Sequence, residues 1–251
     1  MNYQKLVHEL AIVAREAGAK IMEVYAKDPE AEFKGDGSPV TEADQAAEAI
    51  ILPALAKLAP EITIISEENA ASHLLAAPER FFLVDPLDGT KEFLKRDGKG
   101  SFTVNIALIE NGEPTMGVVY APALDRLFTG IVGVGSKEGN EDITCRTVPS
   151  TGAVAVASAS HRDEATDNWL SEHGINDTVS IGSSLKFCLV ACGEADVYPR
   201  FGPTMEWDTG AGYAVLRAAG GKLTNPDGSP FAYGKADYRN GAFIAWGGFR
   251  N

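Results

Sequence analysis

Apolar residues recur every three to four positions over the first part of the chain, which predicts two amphipathic helices. The first runs from about residue 3 to residue 25, and its apolar face consists of Leu6, Leu10, Val13, Ala14, Ala17, Ile21 and Val24. The second follows Thr41, contains Pro53 as an expected kink, and has an apolar face made of Ala46, Ala47, Ile50, Ile51 and Leu55. Thr41 and Asp44 have the spacing of a helix capping box, which accounts for both residues without any further function.

Two continuous apolar runs, each followed by acids, predict neighbouring buried strands. Residues 81–84 lead into Asp85-Pro86-Leu87-Asp88-Gly89-Thr90, and residues 62–65 lead into Ser66-Glu67-Glu68. Because proline cannot donate a ladder hydrogen bond, we expect the first strand to stop at Pro86 and a short helix to open at Thr90. Both strands therefore deliver carboxylates at their carboxyl ends, although a turn with a capping acid would give the same pattern.

The remaining pattern divides the chain into two subdomains, residues 1–150 and residues 151–251. Strands at 102–109 and 115–120 flank Asn111-Gly112, which is typical of a hairpin, and 127–134 continues that sheet. Strands and helices alternate in the second part. The predicted strands are 154–158, 179–182, 196–198 and 242–246, and the predicted helices are 163–172, 184–192 and 211–219. We therefore expect a mixed α/β (α+β) protein.

Composition and charge narrow the range of partners. The chain has 251 residues and a formal net charge of −13, which disfavours binding to nucleic acid or to an anionic membrane surface. Its three cysteines, Cys145, Cys188 and Cys192, suit buried positions in a reducing compartment. Neither a signal peptide nor an apolar stretch long enough to span a membrane is visible, so we expect a cytoplasmic protein.

Five carboxylates lie at the edges of predicted helices and strands: Asp44, Glu67, Asp85, Asp88 and Asp208. They could share one pocket only if cations neutralise them, because like charges at close range repel. A site made of oxygen donors without histidine or cysteine favours Mg²⁺ over zinc. Two such ions about 3.5 to 4 Å apart would suit phosphoester hydrolysis by an activated water. The alternative for Asp208 alone is a simple helix cap.

The combination of motifs resembles the inositol monophosphatase superfamily of Mg²⁺-dependent, lithium-sensitive phosphatases. The resemblance is carried by Asp85-Pro86-Leu87-Asp88-Gly89-Thr90, by Glu67, and by Trp207-Asp208-Thr209-Gly210-Ala211-Gly212. Within it, Asp88-Gly89-Thr90-Lys91-Glu92-Phe93, residues 182–188 and residues 198–204 are similar to CysQ-type 3'(2'),5'-bisphosphate nucleotidases. This resemblance implies a layered α/β/α/β/α sugar-phosphatase fold, a place in sulfur metabolism, and removal of the 3'-phosphate of adenosine 3',5'-bisphosphate.

The resemblance also implies a set of two or three Mg²⁺ ions and their ligands. Glu67, Asp85 and the carbonyl of Leu87 would hold the first ion, and Asp85, Asp88 and Asp208 would hold the second.

Roles in catalysis and in substrate binding follow from the same resemblance. Asp44 and Thr90 would orient and deprotonate the attacking water, with Glu67 as a further catalytic residue. The amides of Gly89 and Thr90 would bind the scissile phosphate. The nucleotide would be contacted by His161, Ser183, Lys186, Arg200 and Asp208. A homodimer and a peripheral position at the inner membrane are further possibilities within this resemblance.

Lys186 is the residue that we expect to determine substrate selectivity. It falls in the first turn of the predicted helix at 184–192, where the helix dipole mildly opposes a cation. We interpret it as a contact to the 5'-phosphate that is not cleaved, and the alternative is a surface lysine that reaches solvent.

Three other classes of function compete with the nucleotidase. An inositol monophosphatase or a sugar bisphosphatase would share the metal chemistry, and polar Ser184 with cationic Lys186 favours the nucleotidase over both. A haloacid-dehalogenase phosphatase has an Asp-x-Asp motif, but Asp85 and Asp88 are one residue further apart. A non-catalytic phosphate or metal sensor would bind without turnover.

Overall fold

Two helices form the outermost layer of the first subdomain. The computed structural model describes residues 1–27, 31–33, 39–96, 98, 100–158 and 162–248. Helix α1 spans Tyr3–Tyr25, as predicted, and is capped by the side chain of Asn2. The strands β1 (Ala31–Phe33) and β2 (Pro39–Thr41) pair antiparallel ahead of α2 (Glu42–Leu58). Pro53 lies inside α2, and the helix continues through it.

A seven-stranded sheet packs beneath these helices. Its order is β3-β4-β5-β6-β7-β8-β9, and β3 pairs parallel with β4 while the other pairs are antiparallel. The strands are β3 (Thr63–Ser66), β4 (Arg80–Asp88), β5 (Thr103–Glu110), β6 (Glu113–Ala121), β7 (Arg126–Ile131), β8 (Gly135–Glu138) and β9 (Glu141–Ile143). The predicted hairpin is confirmed, because Asn111 and Gly112 both have positive φ, at 53° and 77°. The predicted strand at 127–134 ends earlier, because residues 132–134 turn into β8.

The prediction that β4 stops at Pro86 is wrong. The strand continues to Asp88, with Asp85 opposite Asn105 and Asp88 opposite Thr103. Pro86 and Leu87 therefore share a β-bulge, where the missing N–H of proline costs no ladder hydrogen bond. The short helix α3 (Thr90–Lys95) follows as predicted, after Gly89 in the left-handed region at φ 94°.

The second half of the chain supplies two helical layers and a five-stranded sheet in the order β11-β10-β12-β16-β14. Its strands are β10 (Val154–Ser158), β11 (Asp177–Ile181), β12 (Val197–Arg200), β14 (Lys222–Thr224) and β16 (Phe243–Trp246). The helices are α4 (Glu164–Glu172), α5 (Leu185–Ala191) and α6 (Gly210–Ala218). β13 (Thr204–Met205) and β15 (Arg239–Asn240) form a separate antiparallel pair. The predicted helices and strands of this half agree with these bounds to within two residues at each end.

The two faces of β4 show how the layers stack. Phe82 and Val84 pack in one core with α1 and α2, whereas Phe81 and Leu83 pack in another with α5, α6 and the second sheet. A Cβ on Gly117 would collide with the carbonyl of Ala211, so glycine lets α6 approach the first sheet closely. Helix α4 covers the far side of the second sheet through the core that contains Trp169. The layers are therefore α/β/α/β/α, which confirms the predicted fold.

The two sheets share a hydrophobic core, which bears on the predicted division into two subdomains. The first sheet ends at Ile143 and the second begins at Val154, and a core that includes residues of both sheets joins them. The division at residue 150 stays a prediction.

The three cysteines are free thiols, with Cys188 buried and Cys145 and Cys192 half-buried. Within the described residues, no helix has the length and apolar character needed to cross a membrane.

Candidate active site

Three of the five predicted carboxylates meet at the edge of the first sheet. Glu67 follows β3, Asp85 lies at the start of the bulge in β4, and Asp208 precedes α6. One carboxylate oxygen from each residue lies within 4.8 Å of the other two. The parallel pairing of β3 and β4 explains why Glu67 and Asp85 reach the same edge, because parallel strands present their carboxyl ends together.

The buried acids of this cluster favour the binding of a cation. Burial raises the pKa of Asp85 well above its usual range, and Glu67, Asp88 and Asp208 raise it further. Burial likewise raises the pKa of Asp208, with added contributions from Asp88 and Glu67. A divalent ion would relieve both effects, and the donors present are oxygens, which suit a hard ion such as Mg²⁺. The residues therefore fit the predicted metal.

Asp88 is held in this cluster by Ser184. Its Oδ2 accepts from the amide of Ser184 at 2.5 Å and lies 2.9 Å from the Ser184 hydroxyl. That hydroxyl also lies 2.6 Å from the backbone carbonyl of Asp208. Burial raises the pKa of Asp88, while the charge of Lys186 opposes the rise. Ser184 thus connects the carboxylate of Asp88 with the backbone of Asp208.

The bulge in β4 brings backbone groups to the same place. The amide of Leu87 donates to Oδ1 of Asp85 at 3.0 Å. The carbonyl of Leu87 lies 3.4 Å from the hydroxyl of Thr90. Leu87, Gly89 and Thr90 all line the cavity that contains the cluster.

Asp44 takes part in a helix cap and in the site at once. Its Oδ2 accepts from the amide of Thr41 at 2.7 Å and from the hydroxyl of Thr41 at 2.8 Å, and the capping box is complete. Its Oδ1 lies 3.4 Å from the hydroxyl of Thr90. Burial raises the pKa of Asp44 to about 7.

Two cations, Lys186 and Arg200, line the same cavity, which has a volume of about 420 Å³. Lys186 is only 4% exposed, so the alternative of a surface lysine is wrong. Its ammonium donates to the carbonyl of Ser183 at 2.6 Å and lies 5.1 Å from the ring centre of Tyr198. Burial lowers the pKa of Lys186 to about 8. Arg200 donates to the carbonyl of Gly202 at 3.2 Å and lines the same cavity.

The sequence of the chain matches one family along nearly its whole length. Residues 3–246 match the Inositol monophosphatase family. The chain belongs to this family. It is 45% identical over 234 residues to the 3'(2'),5'-bisphosphate nucleotidase CysQ of Escherichia coli O157:H7, covering 91% of this chain and 94% of that protein. The protein of the same name from Salmonella typhimurium is 47% identical over the same shares of the two chains. The predicted resemblance to CysQ-type proteins is confirmed.

Solved structures of inositol monophosphatase family members agree with the fold. CysQ from Bacteroides thetaiotaomicron, described as a bacterial member of the inositol monophosphatase family, superposes with a TM-score of 0.84 at 37% identity and covers 99% of each chain. An inositol monophosphatase from Anabaena superposes with a TM-score of 0.78 at 28% identity, over 98% of this chain and 91% of that one. Family membership excludes the haloacid-dehalogenase alternative and supports phosphatase activity.

The structure brings most of the predicted site residues of this family member to one cavity. Its lining includes Glu67, Asp85, Leu87, Asp88, Gly89, Thr90, Ser183, Lys186, Arg200 and Asp208. Asp44 reaches it through Thr90. His161 lies outside the described residues.

Glu92 is a cavity residue to which the sequence assigned no role. Glu92 is 6% exposed and packs closely against Gly182, since a Cβ at position 182 would lie 2.5 Å from the Cγ of Glu92. Its place in the Asp88–Phe93 motif was the sequence feature that could have indicated a role in the site.

A second group of acids, around Glu138 and Glu194, lies outside this cavity. It is already neutralised by the guanidinium of Arg126, which lies 2.5 Å from each carboxylate.

Proposed function

We propose that this member of the inositol monophosphatase family is a Mg²⁺-dependent phosphatase that removes the 3'-phosphate of adenosine 3',5'-bisphosphate and releases AMP and phosphate. One observation carries the proposal: the carboxylate cluster and the buried cations Lys186 and Arg200 line a single cavity. Such a cavity suits a substrate with one phosphate to be cleaved and a second to be bound.

The chain would hold two or three Mg²⁺ ions within the carboxylate cluster. Glu67, Asp85 and the Leu87 carbonyl are proposed for the first, and Asp85, Asp88 and Asp208 for the second. When bound, the ions supply Lewis-acid stabilisation of phosphate charge and lower the pKa of an attacking water. Ser184 keeps two of these acids in place through its contacts with Asp88 and Asp208.

Asp44 and Thr90 are proposed to orient the attacking water and to take its proton, beside Glu67. The hydroxyl of Thr90 lies between the Leu87 carbonyl and Asp44, at 3.4 Å from each. A carboxylate with a pKa of about 7 is well matched to proton transfer near neutral pH, and that is the value that burial gives Asp44.

The remaining cavity residues are proposed to bind the substrate. The amides of Gly89 and Thr90 would contact the scissile phosphate, which places it beside the carboxylate cluster. Lys186 and Arg200 would contact the uncleaved 5'-phosphate, with Ser183 on the nucleoside. For His161, which lies outside the described residues, the nucleotide contact stays a prediction from the sequence. The depressed pKa of Lys186, at about 8, leaves the ammonium protonated at neutral pH and able to pair with that phosphate.

The names of the relatives support the nucleotidase over its rivals. The curated relatives from Escherichia coli and Salmonella are 3'(2'),5'-bisphosphate nucleotidases, at 45% and 47% identity. Inositol monophosphate is the nearest rival substrate, because an Anabaena inositol monophosphatase shares the fold at 28% identity. A sugar bisphosphate comes next. A non-catalytic sensor is disfavoured because all five predicted acids are present at the site or in contact with it.

A phosphate-release assay over four substrates tests the proposal. The purified protein with Mg²⁺ should hydrolyse adenosine 3',5'-bisphosphate far faster than AMP, inositol 1-phosphate or fructose 1,6-bisphosphate. Faster turnover of inositol 1-phosphate would replace the nucleotidase by the inositol phosphatase. Binding of the bisphosphate without phosphate release would favour the sensor.

A cytoplasmic location is part of the proposal, supported by the three free cysteines. A homodimer and a peripheral position at the inner membrane stay predictions, which size-exclusion chromatography and cell fractionation test.

A further inference from the structure

His73 contacts two segments that each carry an acid of the cluster. It lies in a 3₁₀ turn, Ser72–Leu74, between β3 and β4. Its Nε2 is 2.8 Å from the carbonyl oxygen of Ser66, and its ring stacks on the indole of Trp207. Ser66 directly precedes Glu67, and Trp207 directly precedes Asp208. One imidazole therefore contacts the backbone just before Glu67 and the side chain just before Asp208.

The contact with Ser66 belongs to a tight backbone arrangement. A carbonyl oxygen only accepts hydrogen bonds, so Nε2 of His73 carries the proton and donates. The same oxygen also accepts from the amide of Asn69 at 3.1 Å, and the hydroxyl of Ser72, which donates to the carbonyl of Asn69 at 2.7 Å, lies 3.3 Å from it. The amide of Ser66 in turn donates to the hydroxyl of Ser72 at 3.1 Å. The turn that carries His73 thus fixes the residue before Glu67.

The contact with Trp207 is a ring stack in a buried setting. The ring centres are 4.7 Å apart with an interplanar angle of 22°, and Trp207 is 4% exposed. Asp208 is held locally as well, because its Oδ2 accepts from the amide of Met205 at 2.8 Å. The same turn is tied to this half of the chain a second time, since the hydroxyl of Tyr238 donates to the carbonyl of Leu75 at 2.8 Å.

These contacts address a physical difficulty of the site. Glu67 extends from the edge of the first sheet and Asp208 from the loop before α6, and their charges repel when no cation lies between them. A cluster that opens on losing its ion must be brought together again on binding, which weakens affinity. A rigid link between the two segments removes that cost.

We propose that His73 is a positioning residue that sets the separation of the Glu67 and Asp208 carboxylates and so sets the affinity of the cluster for divalent cations. This role rests on the proposed metal site. It assigns His73 no contact with the ion or with the substrate.

Equilibrium binding of Mn²⁺, measured by electron paramagnetic resonance without substrate, tests the role. H73A removes both contacts, H73Q keeps a donor but loses the ring, and H73F keeps the ring but loses the donor. L74A is the matched control, because Leu74 is the next residue and is 88% exposed. All proteins are compared at a temperature where each is folded by near-ultraviolet circular dichroism.

We expect H73A to raise the Mn²⁺ dissociation constant by about 10-fold, the scale of losing an outer partner of a metal site. H73Q and H73F should show smaller increases, and L74A should bind like the wild type. Because the metal contacts themselves are intact, the kcat of H73A should recover towards the wild-type value at saturating Mg²⁺.

Two results would overturn the role, and they are distinguishable. Wild-type Mn²⁺ affinity in H73A, even with a lower melting temperature, would make His73 a structural residue only. If H73A does not fold, wild-type affinity in both H73F and H73Q leads to the same conclusion. Absence of Mn²⁺ binding by the wild-type protein would instead remove the metal site itself, and the role of His73 with it.

Discussion

The hydroxyl of Thr90 lies 3.4 Å from Oδ1 of Asp44, while Oδ2 of the same carboxylate closes a helix cap on Thr41. The two oxygens of one buried acid therefore face different partners, and one of those partners lines the cavity. The distance is long for a hydrogen bond between oxygens. Catalytic hydrogen bonds are often long without substrate and shorten in the reacting complex, so the geometry is compatible with a role in proton transfer.

Replacing Asp44 by asparagine separates the cap from the chemistry. The amide oxygen of asparagine can still accept from the Thr41 backbone, so the melting temperature should change little. Asparagine cannot accept a proton from water, so kcat should fall by about 10²-fold or more. Steady-state kinetics and thermal unfolding of Asp44→Asn measure the two effects.

A residue that only caps a helix provides the comparison. Asn2 caps α1 by accepting from the amide of Lys5 at 3.1 Å. Asn2→Ala should cost about 1 kcal/mol of unfolding free energy and leave kcat unchanged. A normal kcat in Asp44→Asn would return Asp44 to the role of a cap.

Removal of the metal should abolish activity, because the carboxylate cluster cannot stabilise phosphate charge by itself. EDTA should stop turnover and added Mg²⁺ should restore it. Asp88→Asn keeps an acceptor for the Ser184 amide but removes a charged ligand, so kcat/KM should fall by at least about 10³-fold. Asp125→Asn, which alters an exposed ion pair with Arg15, should leave kcat/KM unchanged. Undiminished turnover in EDTA would contradict the proposed chemistry.

The stability of the metal-free protein should fall as the pH rises from about 5 to 8. Burial raises the pKa of Asp85 and Asp208 well above the usual range and that of Asp44 to about 7. An acid whose pKa is higher in the folded protein stabilises it fully below the unfolded value of about 4, and that stability is lost as pH rises through the folded value. Melting curves across this range measure the fall.

Saturating Mg²⁺ should remove most of this pH dependence, because the ion stabilises the charged carboxylates of the folded protein. The gain in melting temperature on adding Mg²⁺ should therefore be larger at pH 8 than at pH 5. An equal gain at both values would show that the cluster is already ionised without metal.

Local patterns predicted much of the fold. Helix α1 and the hairpin at Asn111-Gly112 were correct because helical periodicity and positive φ at a two-residue turn are properties of short segments. The predicted end of β4 was wrong because Pro86 lies in a bulge, and only the pairing with β5 allows the strand to continue past it. A prediction made from one strand alone cannot take that pairing into account.

The site was predictable where the acids follow strands and less so where contacts join distant segments. Glu67 and Asp85 were expected together because both runs end in acids, and the parallel pairing of β3 and β4 confirms their meeting. Ser184 and His73 were not assigned their contacts, since these depend on the approach of segments far apart in the chain. Lys186 was placed in the correct turn, but its burial against Tyr198 is a property of the packed core.

Substrate selectivity should depend on the contact between Lys186 and the second phosphate. Lys186→Met keeps most of the buried stem and removes the cation, so packing against Tyr198 should largely persist. Loss of a charge-assisted hydrogen bond costs about 1.5 to 3 kcal/mol, so kcat/KM for adenosine 3',5'-bisphosphate should fall roughly 10- to 100-fold. Hydrolysis of adenosine 3'-monophosphate, which lacks that phosphate, should hardly change. Equal losses for both substrates in the same assay would show that Lys186 stabilises the cavity as a whole and does not recognise the 5'-phosphate.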